Sequence, residues 1–325
     1  MSEGRVIAIG GSTGSISALK QILPRLPAGL PAPVFVVVHV GAEGRNLLAG
    51  ILDACGPLTV STAKDGEHPE QAHVYVAPAG RHLLLVDGEI RLGRGPRENM
   101  ARPAVDALFR SVAASYGPRA IGLVLSGHLN DGAAGLAAIA QCGGLTAVQS
   151  PADAEAPDMP RGALEAGDID YRAPLADLAN LMVALAKEPP GPEFPTPRAL
   201  ELEIEIALGR PSQTGVIDEI ADVAPLSCPE CGGTLSQLKE APLRYRCQIG
   251  HAYSAKTLAH EQNGSLDEAL GVALRIVEER AVLADRMARD AEASGRAWSM
   301  ENYASKAAEF RRSADVLRSA AIRLR

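Results

Sequence analysis

Ser12, His39 and Asp131 are the residue types of a nucleophile, a general base and an orienting acid, and each falls at or just beyond an apolar, strand-like run. A serine hydroxyl attacks a carbonyl well only when a base takes its proton, and a carboxylate behind the imidazole holds its tautomer and stabilises the cation that forms. The chemistry open to such a trio is acyl transfer. Ser12 stands in Gly10-Gly-Ser-Thr-Gly14, where backbone N–H groups at a helix start, those of Thr13 and Gly14, can face an oxyanion. A second set is Cys228-Pro-Glu-Cys231 with Cys247-Gln-Ile-Gly-His251, that is C-x2-C, fifteen residues, C-x3-H. Two short chelate pairs on turns suit a tetrahedral structural zinc site, whose four protein ligands leave no position open for catalysis.

Blander accounts stand beside these. Ser12 or Thr13 could be an N-cap, His39 a core histidine bonded to a carbonyl, and Asp131 a turn former or helix cap ahead of Gly132. A dinucleotide-binding turn is a third account of residues 10–14, but the glycines do not follow G-x-G-x-x-G and the next strand ends in His39, not an acid. His128 is a rival base, ranked below His39 because it shares a loop with Asp131 and such neighbours seldom face each other across a site. For the cysteines the rival is a redox C-x-x-C, which leaves Cys247 and His251 unexplained. The coincidence of address favours the chemical account: all three residues sit at carboxyl ends of expected parallel strands, the edge where open α/β sheets place their sites.

The elements that must position them are legible in the hydrophobic pattern. Residues 6–9, 34–38 and 120–125 are continuous apolar runs, as in strands buried on both faces. Residues 58–62, 73–77 and 145–149 also read as extended, and 82–92 as a hairpin about Asp87-Gly88. Helical spacing covers 15–23, 46–52, 104–114, 133–141 and 175–185. Strands alternating with helices predict an α/β fold, a doubly wound, mostly parallel sheet with helices on both faces.

Four segments are expected: a catalytic domain over 1–186, a Pro-rich linker with a short element over 187–224, a small zinc-ribbon-like module over 225–260, and a C-terminal helical hairpin over 261–325. Residues 188–197 carry five prolines and suit a semi-stiff spacer. Residues 200–208 alternate apolar and acidic side chains, compatible with an edge strand or a helix. Lys239, Arg244 and Arg246 read as solvated cations, with nucleic-acid contact as the alternative. Ser265-Leu-Asp-Glu268 is a capping-box pattern opening a helix that Ser294-Gly295 ends. Tyr303, Ala307, Phe310, Ala314, Leu317, Ala321 and Leu324 then form a heptad stripe, for pairing within the hairpin, with a partner, or with a second copy.

A chain of 325 residues with 46% hydrophobic content and net charge -7 is expected to be globular, and its acidity argues against nucleic acid as partner. No apolar run reaches the roughly 18 residues of a membrane span. Only five residues precede the first strand, too few for a secretory signal, and five unevenly placed cysteines suit a reducing compartment, so the expected location is cytoplasmic.

Gly10-Gly-Ser-Thr-Gly14, Val36-Val-Val-His39, Val74-Tyr-Val-Ala-Pro78 with Arg81-His82, Arg102-Pro-Ala-Val-Asp106, Leu125-Ser-Gly-His-Leu-Asn-Asp-Gly-Ala-Ala-Gly135, and Asp158-Met-Pro160 with Ala163 together resemble the catalytic domain of the protein-glutamate methylesterases of bacterial chemotaxis. The resemblance spans roughly residues 4–186. It implies hydrolysis of glutamate γ-methyl esters on chemoreceptors or related signalling proteins, with release of methanol and glutamine deamidation as a second activity, no cofactor for the reaction, and Ser12, His39 and Asp131 as the family's serine, histidine and aspartate. The chain departs from the family pattern at Ser15, at Val40-Gly41 and at Gly127-His128-Leu129, the last beside the expected oxyanion and substrate site. No phosphoacceptor receiver domain is expected ahead of the first strand. A non-catalytic scaffold that keeps the fold for protein binding is the alternative that these departures motivate.

Overall fold

The computed structural model describes residues 4–39, 47–210 and 216–323. The chain forms two compact units, Met1–Leu258 and Ala259–Arg325. The first begins with β1 (Val6–Gly11), α1 (Ser15–Ile22), β2 (Val34–Val38), α2 (Leu48–Asp53), β3 (Thr59–Thr62), β4 (His73–Val76), β5 (His82–Val86), β6 (Glu89–Gly93), α3 (Val105–Tyr116), β7 (Ala120–Val124), α4 (Ala133–Gln141), β8 (Leu145–Gln149), α5 (Asp158–Ala166), β9 (Tyr171–Ala173) and α6 (Leu175–Leu185).

Seven of these strands make one sheet in the order β3-β4-β2-β1-β7-β8-β9, and every pairing in it is parallel. Alternate residues of the central strands feed two cores, which is why their sequences are apolar throughout. Val6, Ala8, Phe35, Val37 and Val124 pack with Leu108, Phe109, Leu136, Ile139 and Met159 of α3, α4 and α5. Ile7, Ile9, Val34, Val36, Ile121 and Leu123 pack on the other face with Leu19, Ile22, Leu52, Leu178 and Met182 of α1, α2 and α6. The hairpin β5–β6 forms a separate antiparallel sheet, with Asp87 and Gly88 both left-handed at its turn (φ 53° and 80°). The helix α5 and the strand β9 lie outside the elements that the sequence pattern predicts; α5 opens on Asp158-Met-Pro160, where a first-turn proline is tolerated.

The proline stretch does not part the first domain from the segments after it. Arg5 straps it down, donating to the carbonyls of Glu188 (2.7 Å), Pro189 (2.9 Å) and Pro118 (3.0 Å). Residues 198–208 then form a helix, α7 (Arg198–Leu208). Its apparent two-residue alternation is two i, i+4 pairs on opposite faces: Leu200 and Ile204 enter the core with α3, while Leu202 and Ile206 join Ile217, Ile220 and Leu238. Arg198, Glu201 and Glu205 keep an exposed stripe, but Glu203 is buried, so the charged residues do not mark one face in the sequence.

Next come α8 (Val216–Ile220), β10 (Ala221–Ser227), β11 (Thr234–Leu238), β12 (Arg244–Cys247) and β13 (Ala252–Ser254), the four strands forming an antiparallel sheet in sequence order. This small sheet belongs to the same unit as the parallel one. Arg244 and Arg246 are not solvated. With Arg110 they surround Glu98 and Glu203 in the interior: Glu203 pairs with Arg244 and Arg246 at 2.7 Å each, Glu98 with Arg246 at 3.2 Å, and Arg110 bonds Glu98 directly. Burial alone would raise both carboxyls, but the guanidiniums hold Glu98 below, and Glu203 well below, the usual carboxylate range.

The hairpin consists of α9 (Ala255–Ala293) and α10 (Ala297–Arg323). The Ser265 box does not start α9. Ser254 does, its Oγ accepting the N–H of Thr257 at 3.1 Å, and Gly264 and Ser265 are carried inside a 39-residue helix. In the second unit, Ala281, Ala284, Ala288, Ala291, Ala307 and Ala314 are buried, and pairs of Arg311 with Asp285 and Arg318 with Glu278 fix an antiparallel register. Leu324 lies outside the described residues, as do Asn46 and the departure at Val40-Gly41. Among the described residues no helix is long and apolar enough to cross a membrane.

Candidate active site and candidate metal centre

The central strands β2, β1 and β7 flank the point where the sheet order reverses, so their carboxyl ends open the crevice in which α/β sheets place ligands. Ser12 follows Gly11, and His39 follows Val38, its register partner; the His39 N–H donates to the Gly11 carbonyl at 3.1 Å. Paired strands run about 4.8 Å apart, so the two side chains leave adjacent positions on one edge. Ser12 is half-buried and its backbone is held on both sides: its N–H donates to Ser126 O at 2.9 Å, and its carbonyl accepts the N–H and hydroxyl of Ser15. Gly14 is left-handed (φ 81°) at the start of α1, a turn that a side chain would strain. Gly127 is needed for proximity, since a Cβ there would lie 2.1 Å from Met159 Sδ and 2.8 Å from Ser12 Cβ.

Asp131 comes to His39 from the loop after β7. His39 Nε2 lies 2.8 Å from Asp131 Oδ2, with the histidine side chain 21% exposed and the aspartate 3%. A carboxylate only accepts, which assigns the proton to Nε2 and leaves Nδ1 as the basic atom of the ring. Asp131 also accepts the N–H groups of Val105 (2.7 Å) and Asp106 (3.1 Å) at the start of α3, the Gly132 N–H (3.1 Å), and Asn99 Nδ2 (3.0 Å). Burial would raise this carboxyl, but His39 and these donors bring it down to about 2. Asp106 behaves oppositely: burial and the Asp131 charge push it up to about 7.

His128 does not share in this network; it is exposed and its Nδ1 lies 3.3 Å from Asp158. Thr13 is exposed beside Ser12. Sequence reasoning missed Asn99, whose type and loop position carry no signal until Asp131 and Asp106 are seen on either side of its amide.

The ligating atoms of Cys228, Cys231, Cys247 and His251 all lie within 4.8 Å of one another. Cys231 and Cys247 sulfurs are 3.7 Å apart, close to the roughly 3.8 Å separating thiolates bound at about 2.3 Å to one tetrahedral zinc. His251 turns Nδ1 toward the sulfurs of Cys247 (3.5 Å) and Cys228 (3.8 Å), while its Nε2 bonds Glu230 at 2.9 Å. A carboxylate behind a ligating imidazole is the usual support of a metal-bound histidine. These residues fit a closed, four-ligand site.

The fold and this edge define an α/β protein of the doubly wound class with a His–Asp pair and an adjacent serine at its switch point. The chain belongs to the CheB methylesterase family, a family of ester hydrolases whose model matches residues 7–182. It is 39% identical over 180 residues to a putative protein-glutamate methylesterase/protein-glutamine glutaminase of Leptospira interrogans, covering 55% of this chain and 93% of the relative. A protein-glutamate methylesterase/protein-glutamine glutaminase of Moorella thermoacetica is 41% identical over 189 residues, and there the match covers 44% of the relative's length. The crystal structure of the Thermotoga maritima CheB methylesterase catalytic domain superposes with a TM-score of 0.55 at 32% identity, covering 57% of this chain and all of that one. The small antiparallel sheet and the helical hairpin lie beyond the matched residues.

Proposed function

We propose that the chain hydrolyses γ-methyl esters of glutamate side chains on a methylated chemoreceptor or related signalling protein, with Ser12 as nucleophile, His39 as general base and acid, and Asp131 as the orienting acid. The observation that carries this is the 2.8 Å His39–Asp131 pair on the strand next to Ser12, in a chain of the methylesterase family. His39 Nδ1 takes the Ser12 proton as Oγ attacks the ester carbonyl, and the N–H groups of Thr13 and Gly14 face the oxyanion. The same nitrogen returns a proton to the departing methoxide, and methanol leaves an acyl-serine. Water then attacks, with His39 again as base, and glutamate is released. A glutamine side chain follows the same course with ammonia as leaving group. His128, exposed in the loop after β7, contributes to substrate binding. Cys228, Cys231, Cys247 and His251 hold a structural zinc that takes no part in the reaction.

The test is methanol release from a peptide carrying a glutamate γ-methyl ester. Ser12→Ala is expected to lose on the order of 10⁴-fold in kcat/KM, and a fluorophosphonate is expected to label the unsubstituted chain at Ser12. Substantial turnover by the variant would remove Ser12 as nucleophile, and a folded, inactive protein that the probe leaves unlabelled would favour the scaffold alternative.

A further inference from the structure

We infer that Asn99 is a positioning residue of the esterase site and that the zinc-ribbon-like sheet holds it in place, so that occupancy of the four-ligand centre sets the rate at Ser12. This rests on the assignment of Ser12, His39 and Asp131 made above.

Asn99 lies on a tight turn in which Glu98 and Ala101 exchange backbone hydrogen bonds (3.1 and 2.9 Å), and it is left-handed at φ 49°. All its polar side-chain capacity is directed between the acid and the small sheet. Its Nδ2 donates to Asp131 Oδ1 at 3.0 Å and to Asp106 Oδ2 at 2.9 Å. Its Oδ1 accepts the Ser254 N–H at 2.8 Å, and its own N–H donates to the Ala252 carbonyl at 2.8 Å. The turn thus pairs with β13, and β13 begins one residue after His251.

Two further links run the same way. The Ser254 hydroxyl donates to Asn130 Oδ1 at 2.6 Å, beside Asp131 in the chain. Arg246, next to Cys247, reaches Glu98, next to Asn99, and also the Gly250 carbonyl. Arg246, beside Cys247, and Ala252, beside His251, thus contact Glu98 and Asn99 directly.

Ion pairs of Arg244 and Arg246 and the packing of Leu238 hold the small sheet to α7, but around the ligands its apolar cluster is only Cys228, Leu235, Cys247, Tyr253 and Leu258, two of them ligand cysteines, so at that end the centre stands in for a core. Loss of zinc loosens β12 and β13, Asn99 loses both backbone partners that keep it left-handed, and Asp131 loses one of the donors that fix its angle to His39. The family match ends at residue 182, so this support comes from the part of the chain that the family model does not describe.

The experiment compares the full chain with one equivalent of zinc and after chelation, using the glutamate γ-methyl ester peptide. Chelation is expected to lower kcat by roughly 10- to 100-fold with KM unchanged. Asn99→Ala should show the same fall when zinc-loaded, and chelation should add nothing to it. Asn99→Gly, which accepts the left-handed backbone without strain, should fall as far as Asn99→Ala. The NMR resonance of the His39 Nε2 proton provides a reading without turnover: sharp in the zinc form, broadened by solvent exchange after chelation and in both variants. Equal kcat and an unchanged proton resonance with and without zinc would overturn the inference, as would effects of chelation and Asn99→Ala that multiply. If chelation unfolds the whole unit, the zinc-loaded Asn99→Gly chain decides the matter, full kcat there overturning it. Methanol release by Ser12→Ala would sink the underlying assignment, whereas the proton resonance reads the Asn99 link whether or not that assignment stands.

Discussion

Asp106 and Asp131 cap each other's helices. Asp131, just before α4, accepts the first two N–H groups of α3 from Val105 and Asp106, while the Asp106 side chain in α3 accepts those of Gly132 (3.0 Å) and Gly135 (2.7 Å) at the start of α4. Ala104, at the N-cap of α3, has no side chain to do this locally. The exchange fixes the carboxylate of Asp131 at a helix N-terminus, where its charge is favoured, with one oxygen toward His39 Nε2.

Asp131→Asn is therefore expected to keep the fold and lose the tautomer. An amide nitrogen facing Nε2 would favour the proton on Nδ1, the atom that must be basic toward Ser12. The fall in kcat should be on the order of 10⁴-fold, as when the acid of a serine triad is neutralised, with KM little changed. Steady-state methanol release, with near-UV circular dichroism as the check on folding, measures both.

The two carboxyls make opposite contributions to the pH dependence of stability. Asp131, lowered to about 2 from 3.8, contributes stability that is complete above 3.8 and is lost as pH falls toward about 2. Asp106, raised from 3.8 to about 7, binds a proton in the folded protein that the unfolded chain has released, so its contribution falls as pH rises across that interval. Urea titrations across 3.8 to about 7 should show Asp106→Asn lacking a downward slope of up to roughly 1.4 kcal/mol per pH unit that the unsubstituted chain has. Parallel slopes would show that Asp106 keeps its ordinary affinity for protons.

Glu203→Gln leaves Arg110, Arg244 and Arg246 gathered in the interior with Glu98 as their remaining acidic partner in the cluster. Breaking a buried ion pair from one side costs about 3–5 kcal/mol. Urea midpoints should fall accordingly, for the small antiparallel sheet and the parallel sheet together, because Glu203 on α7 ties β12 to Arg110 on α3. Far-UV circular dichroism measures the loss of both sheets.

Gly127→Ala tests how closely the loop after β7 is fitted to the nucleophile. The added methyl must displace the Met159 thioether or the Ser12 Cβ, and moving a nucleophile by about 1 Å can cost roughly 10²-fold in rate. Methanol release and fluorophosphonate labelling should fall in parallel. A variant as active as the parent would mean that Met159 alone gives way.

The sequence by itself carried what local pattern can carry. Continuous apolar runs marked the strands around Ile7, Val36 and Leu123, because a strand buried on both faces has no polar alternation. Asp87-Gly88 marked a hairpin turn, because it demands positive φ. Cysteine spacing marked Cys228, Cys231, Cys247 and His251 as two pairs fit for one metal, because chelate pairs are short-range, and the strand pattern assigned Ser12, His39 and Asp131 to one sheet edge. Tertiary structure decided the rest. That His39 and not His128 meets Asp131 depends on strand order across a sequence separation of 92, which no local pattern records. The buried state of Arg244 and Arg246 depends on Glu98 and Glu203 arriving from elsewhere in the chain, since a charge enters the interior only with its partner. The helix α7 stayed ambiguous because Glu203 is buried with its apolar residues, paired to arginines from elsewhere in the chain, and Asn99 escaped because an amide acquires its role only from the carboxylates and backbone groups that other segments bring to it.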